Sequence, residues 1–407
     1  MNKMPSIKNK NKFIVICSIL AICGLVIYFG SNMASVKYSS VEQSPVNIIK
    51  DNAKPKDKEV IPEVLPISNS SVLVTHIATP TPVRAVYVSS WTAGSVKYRD
   101  PIIRMINDTE LNAIVIDVKD STGKIGFAVS DPELQKMGTT ENRISDVRAL
   151  TNLLHEKNIY VIGRVSVFQD PTLTKMKPEW SITKKSDGTV WKDKKGLSFL
   201  DPANKEVWKY VVRIANDAYA QGFDEINFDY IRYPSDGNLQ DINYHLKEGE
   251  TRSDNIEKFF IYLASEMKKD QNIPTSADIF GLTTEVTNDM GIGQVWEKAL
   301  PHFDFLSPMI YPSHYPSGHN GFKNPAEHPY DVINSALASA VARTKAQNQP
   351  IEKIRPWLQD FDLGATYTKE LVEAQMKASY NNGIDSWMLW DPRNRYTPSA
   401  LKLEIKQ

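Results

Sequence analysis

Eight short apolar runs punctuate the chain between residues 83 and 391, and the stretches between them carry a helical pattern. The runs are "VRAVYVSS" (83–90), "AIVIDVK" (113–119), "IYVIGRVSV" (159–167), "EINFDYI" (225–231), "TSADIF" (275–280), "FDFLSPMIY" (303–311), "IRPWLQDF" (354–361) and "DSWMLWD" (385–391). Runs of this kind, rich in Val, Ile and aromatic residues, read as strands. Between them, "VRALTNLLHEKN" (147–158), "KEVWKYVVRIANDAYAQGF" (205–223), "NIEKFFIYLASEMKKD" (255–270) and "KELVEAQMKASYNNG" (369–383) read as helices. Asp201 followed by Pro202 predicts a helix start, and Gly222 and Gly383 sit where helices stop. Strands alternating with helices predict parallel βα units, and eight of them predict a (β/α)8 TIM barrel. An open doubly wound sheet is the second candidate, although no G-x-G-x-x-G turn follows the first run.

The phase of the fourth run carries more than its existence. In "FDEINFDYIRYP" (223–234), Glu225, Asn227 and Asp229 share one face of an extended chain, while Ile226, Phe228 and Tyr230 share the other. If the apolar face meets the surrounding helices, the three polar residues line the barrel lumen with Asp229 nearest its mouth. Active sites in such barrels form at the carboxyl ends of the strands. Asp117 and Asp120 end the second run, Arg164 and Ser166 the third, Asp229 the fourth, Asp278 the fifth, Tyr311 the sixth, Asp360 and Asp362 the seventh, and Asp391 the eighth. Paired carboxylates across a mouth suit glycosidic cleavage, in which one acid protonates the leaving oxygen and another attacks the anomeric carbon or activates water. A lone lumen acid paired with Arg164 or Arg232 would instead be structural. Aromatic residues recur at the same rim: Trp91, Trp180, Trp191, Tyr311, Tyr315 and Trp390. Their faces suit sugar rings, and the Arg, Asp, Asn and His groups beside them suit hydroxyls. Candidate substrate-binding residues are therefore Trp91, Asp117, Asp120, Arg164, Asn227, Arg232, Tyr311, His314, Trp390 and Asp391.

The beginning of the chain changes the setting. Lys3, Lys8, Lys10 and Lys12 precede "FIVICSILAICGLVIYFG" (13–30), which approaches the length of a bilayer span. The expected organisation is a basic cytoplasmic segment (1–12), a transmembrane anchor (13–30), a Pro- and Ser-rich linker (31–82) and an extracytoplasmic barrel (83–407). Both cysteines, Cys17 and Cys23, lie in the apolar run, so the remainder has no thiol for disulfides, nucleophilic catalysis or metal ligation. With 48 basic and 48 acidic residues, no charge excess points to nucleic acid. His314 and His319 lie near each other in "YPSHYPSGHNG", yet no HExxH or Cys/His ligand pattern is present, and no metal or organic cofactor is expected. No G-x-S-x-G elbow supports a serine hydrolase.

From about residue 83 onward the chain resembles the bacterial family of glycosyl hydrolase domains of unassigned specificity, a remote relative of other (β/α)8 glycosidases. The resemblance lies in "VRAVYVSSWTAGS", "NAIVIDVKDSTG", "GRVSVFQDP", "LDPANKEVW", "GFDEINFDYIRYPSDG", "ADIFG", "LSPMIYPSHYP" and "GIDSWMLWDP". It implies a (β/α)8 glycosidase-like fold. Similarity to α-amylase-type barrels, whose acids end strands four, five and seven, implies Asp229 as nucleophile, Asp278 as acid/base and Asp360 as the charge-stabilising partner. Asn227 stands where that type carries Arg, and Asp278 replaces its Glu, leaving Asp391 and Asp120 as alternative acids. The chitinase-type motif D-G-x-D-x-D-x-E is matched at Asp224 and Asp229 but broken at Asn227 and Ile231. The expected activity is hydrolysis of a polysaccharide or oligosaccharide. The alternatives are a non-catalytic carbohydrate-binding barrel and an envelope polysaccharide esterase or deacetylase.

Overall fold

The computed structural model describes residues 74–404. All eight expected strands are present: β1 (Arg84–Val88), β2 (Ala113–Lys119), β3 (Tyr160–Ser166), β4 (Glu225–Asp229), β5 (Thr275–Phe280), β6 (Phe305–Met309), β7 (Trp357–Gln359) and β8 (Trp387–Trp390). Each pairs in parallel with its sequence neighbours, and β1 pairs with β8, so the sheet closes and the open doubly wound alternative falls.

The two faces of every strand have different partners. Val86, Ile114, Val161, Ile226, Phe228, Ala277 and Leu358 belong to a large apolar layer shared with the helices. Ala85, Tyr87, Val115, Tyr160, Ile162, Trp357 and Met388 form a second cluster that fills the lumen. Both faces are thus covered, which is why β2 and β3 are buried along their whole length. Burying each large apolar side chain contributes about 1.5–3 kcal/mol, and closure allows the same strand to use both faces.

The helix boundaries follow side-chain caps. Val147–His155 starts at Asp146, whose carboxylate accepts from Ala149 N. The Asp201–Pro202 signal proved displaced: the helix is Lys205–Ala220 and its cap is Asn204, while Asp201 accepts from Ala203 N and from His245. Arg252–Lys269 begins before the expected residue 255 because Thr251 and Asp254 form a reciprocal capping box. Lys369–Asn381 stops before Gly383, which adopts a positive φ of 75°. Two further helices, Val96–Asp108 and Pro329–Ala346, complete gaps between strands.

The linker does not reach residue 82 as a free segment. His76 stacks on Tyr219 with centroids 3.9 Å apart, Ile77 N donates to Asp224 Oδ1 (2.8 Å), and the Thr79 and Tyr160 hydroxyls are hydrogen-bonded at 2.8 Å. Asp224 immediately precedes β4, so this segment is fastened to the N-terminal end of the barrel. The apolar run 13–30 and residues 31–73 of the expected linker lie outside the described residues. Among the described residues no helix is long and apolar enough to cross a membrane, and no group of three or more His, Cys, Asp or Glu side chains is placed to hold a metal ion.

Candidate active site

The polar face of β4 points into the lumen as its alternation requires. Glu225 lies deepest, accepting from Ser276 Oγ (2.6 Å), Arg355 Nη1 (2.9 Å) and the Tyr160 hydroxyl (3.1 Å). Asn227, one step higher, donates through Nδ2 to Ser276 Oγ (3.0 Å) and Asp278 Oδ1 (2.8 Å). Asp229 ends the strand at the mouth.

Arg164 organises that mouth. Its Nε and Nη2 donate to Asp229 Oδ2 at 3.1 and 2.5 Å, and its Nη1 donates to Asp117 Oδ1 at 2.6 Å. The other Asp117 oxygen accepts from the Tyr87 hydroxyl at 2.6 Å. The other Asp229 oxygen accepts from Tyr230 N at 2.6 Å. Tyr230 leaves the expected alternation: its φ is +53°, an unfavourable conformation for a bulky residue, and its ring lies near the Arg232 guanidinium (5.1 Å) instead of in the helix-facing layer. Strain at this position accompanies the hydrogen bond that fixes the adjacent carboxylate.

Asp278 is treated differently from Asp229. Its Oδ1 accepts from Asn227 Nδ2 and from Trp357 Nε1 (2.7 Å), while its Oδ2 is buried with no hydrogen-bond partner among the described residues. The residue is only 1% exposed. Burial raises its pKa well above the ordinary carboxyl value, and the charge of Asp229 raises it further, against opposing hydrogen bonds and the charge of Arg164. Burial likewise raises Asp117, although Arg164 opposes the shift. Burial works against the charge of Arg164, but Asp229 and Asp117 outweigh it and raise its pKa.

Trp390 roofs this group. It stacks on Tyr87 (3.9 Å), meets Trp357 edge-on (5.4 Å) and lies 5.1 Å from the Arg164 guanidinium carbon. Tyr311 packs near Trp390 and Phe361, with His314 beside both Tyr311 and Phe361.

Asp117, Arg164, Asn227, Asp229, Asp278 and Trp390 therefore come together, with Tyr311 and His314 along an adjoining aromatic wall. Other expected site residues take different places. Both Asp360 oxygens accept from Thr397, at 2.9 Å from N and 2.7 Å from Oγ1. Asp391 accepts from Arg393 N and Nη2. Leu358 and Leu389 belong to the helix-facing layer, so Asp360 and Asp391, two residues further along, fall on the outward parity of their strands. Asp120 pairs with Arg143 (2.5 Å) on the loop after β2. Arg232 packs over Phe280 (4.5 Å) and donates to Tyr233 O and Ser235 Oγ. Trp191 is core, donating to Asn238 O, whereas Trp91 is exposed. Tyr87 and Trp357 were not singled out in the sequence; their only signal there is lumen parity in β1 and β7.

Comparison with known proteins places this geometry. A family model described as "Putative glycosyl hydrolase domain" matches residues 85–396. The chain belongs to this family. A hypothetical protein from Ruminiclostridium thermocellum ATCC 27405 is similar at 35% identity over 47% of this chain and 96% of its own, with a TM-score of 0.43. The glycoside hydrolase domain of PgaB (BpsB) from Bordetella bronchiseptica aligns over 76% of this chain and 94% of its own at 13% identity and a TM-score of 0.57. Alpha-L-fucosidase isoenzyme 2 from Paenibacillus thiaminolyticus aligns over 79% of this chain and 47% of its own at 13% identity and a TM-score of 0.52. These two likenesses concern the barrel fold. No curated protein matches the chain. Membership makes the barrel a glycosyl hydrolase domain, with a carbohydrate as the implied substrate.

Proposed function

We propose that the chain hydrolyses glycosidic bonds of a polysaccharide or oligosaccharide outside the cytoplasmic membrane, with Asp278 as proton donor and Asp229 as its partner carboxylate. The unequal surroundings of these two acids carry the reading. Asp229 has both oxygens oriented, two guanidinium nitrogens on one and a backbone N–H on the other. Asp278 keeps one oxygen unpartnered and holds its proton to higher pH, as a general acid must.

In this scheme Asp278 gives its proton to the glycosidic oxygen as the bond to the anomeric carbon breaks. Asp229 attacks that carbon or removes a proton from the attacking water. Asn227 and Trp357 hold Asp278 through Oδ1, leaving Oδ2 for the transfer. Arg164, fixed by Asp117, orients Asp229, and Trp390 offers an aromatic surface to the sugar. The Lys-flanked apolar run 13–30 supports a membrane-anchored, extracytoplasmic setting.

The test incubates the full chain, Asp229→Asn and Asp278→Asn with envelope polysaccharides and records new reducing ends together with polymer binding. Reducing ends from the parent alone, with binding by all three, are expected. Binding by the parent without reducing ends would replace this reading with a non-catalytic carbohydrate-binding barrel.

A further inference from the structure

Trp91 is 56% exposed, although a tryptophan side chain gains most from burial. Its backbone is held far more firmly than exposure alone would suggest. It lies on the short helix Ser90–Gly94 directly after β1, on the same end of the barrel as the acids. At one end of this helix, the Ser89 N–H and hydroxyl both donate to Asn394 Oδ1 at 3.1 Å. At the other, Gly94 packs so closely that a Cβ there would lie 1.8 Å from Arg143 O. Between them, Ser90 presses on Gly126, where a Cβ would come within 2.6 Å of the Ser90 Cβ.

The indole has a built backing. The Arg143 guanidinium carbon lies 5.0 Å from its ring centroid. Arg143 is itself buried and held by Asp120 (2.5 Å), Glu141 (2.6 and 2.9 Å) and Ser90 Oγ (3.1 Å). Asp120 is fixed in turn by Thr122 N and Oγ1. A cation beside an aromatic ring suits one face, and the exposure leaves apolar surface for another flat, weakly polar partner. The C–H face of a pyranose has that character, and a ring carried on a fixed backbone and backed by Arg143 loses less freedom on binding it.

We infer that Trp91 is the floor of an outer sugar subsite, and that the domain therefore acts on polymers whose chain runs from the Asp229–Asp278 pair across the β1–β2 side of the mouth. This rests on the hydrolase reading above and adds a substrate class to it. A carbohydrate is the occupant because the domain's family implies one and the platform shares the barrel end with the acids.

The experiment uses the full chain carrying Asp229→Asn, so that ligands survive, alone and combined with Trp91→Ala or Trp91→Phe. The probes are β-glucan, N-acetylglucosamine and galacturonate series, each as the disaccharide and as the soluble polymer. Expected is tighter binding of at least one polymer than of its disaccharide, a loss of about tenfold in that polymer affinity with Ala, a smaller loss with Phe, and unchanged disaccharide affinity. Equal polymer affinity with and without Trp91, or no polymer bound by the parent, overturns the inference. Reducing-end release by the chain with Asp229 intact is measured separately. Cleavage with Trp91-independent affinity removes the subsite alone, whereas Trp91-dependent binding without cleavage removes the hydrolase reading.

Discussion

The two ends of the lumen are both lined by buried charge, but their balances differ. At the N-terminal end Glu225 faces Arg355, and both Glu225 oxygens are satisfied, while Arg355 Nε and Nη2 have no hydrogen-bond partner among the described residues and the guanidinium lies over the Phe305 ring at 3.7 Å. At the mouth, Asp117, Asp229 and Asp278 gather around Arg164, and the atoms without a hydrogen-bond partner among the described residues include two acceptors, Asp278 Oδ2 and Asn227 Oδ1. The first arrangement satisfies its acid. In the second, burial first and the charge of Asp229 next raise the pKa of Asp278, against the charge of Arg164. A shared barrel thus contains two buried charge clusters, one with its acid satisfied and one with a carboxyl oxygen left unpaired, built from the same residue types.

The largest expected effect sharpens that contrast. Asp278→Asn should lower kcat by about 10²–10⁴-fold while leaving the fold intact, since the amide resembles the neutral acid; activity and thermal unfolding on the same sample check it. In the parent, activity should fall as pH rises through the raised pKa of Asp278, because the donor is then lost. Arg355→Leu should instead act on stability, costing about 3–5 kcal/mol in urea unfolding by stranding Glu225. Comparable destabilisation by Asp278→Asn would break the comparison.

Next come two acids with opposite pH signatures. Burial, opposed by the Thr397 hydrogen bonds, pushes Asp360 from 3.8 up to about 6. The folded state then holds the proton more tightly than the unfolded one, so stability should fall as pH rises from about 4 to about 6, by about 3 kcal/mol at most. Asp360→Asn should flatten this slope. For Asp224, burial is outweighed by His155, His76 and Val161 N, and its pKa is lowered. Its contribution should be complete above the ordinary carboxyl range and vanish as pH falls through the depressed value. Urea midpoints of Asp224→Asn and the parent across that range measure the difference. The smallest effect is expected from His76→Ala, about 1 kcal/mol or less, detected as faster hydrogen exchange at Ile77 N.

The barrel was legible because eight apolar runs alternate with helical ones, and closure follows from pairing eight parallel strands. The lumen face of β4 was legible for the same reason: Glu225, Asn227 and Asp229 keep a strict period of two. Strand ends were less readable, because a single residue decides which face an acid occupies. Asp360 follows Gln359 by one position and falls on the outward parity, where Thr397 meets it. Tyr230 broke the phase through a positive φ that no neighbouring glycine announced. The roles of Tyr87 and Trp357 depend on one hydroxyl and one indole N–H, whereas an aromatic residue in a strand ordinarily signals packing.

The fastening of residues 76–79 to the N-terminal end of the barrel has a mechanical consequence. Tension applied to the chain from its N-terminal side is received first by Asp224, Tyr219 and Tyr160, at the end opposite the acids. A tether on that side would load the base of the barrel before the mouth.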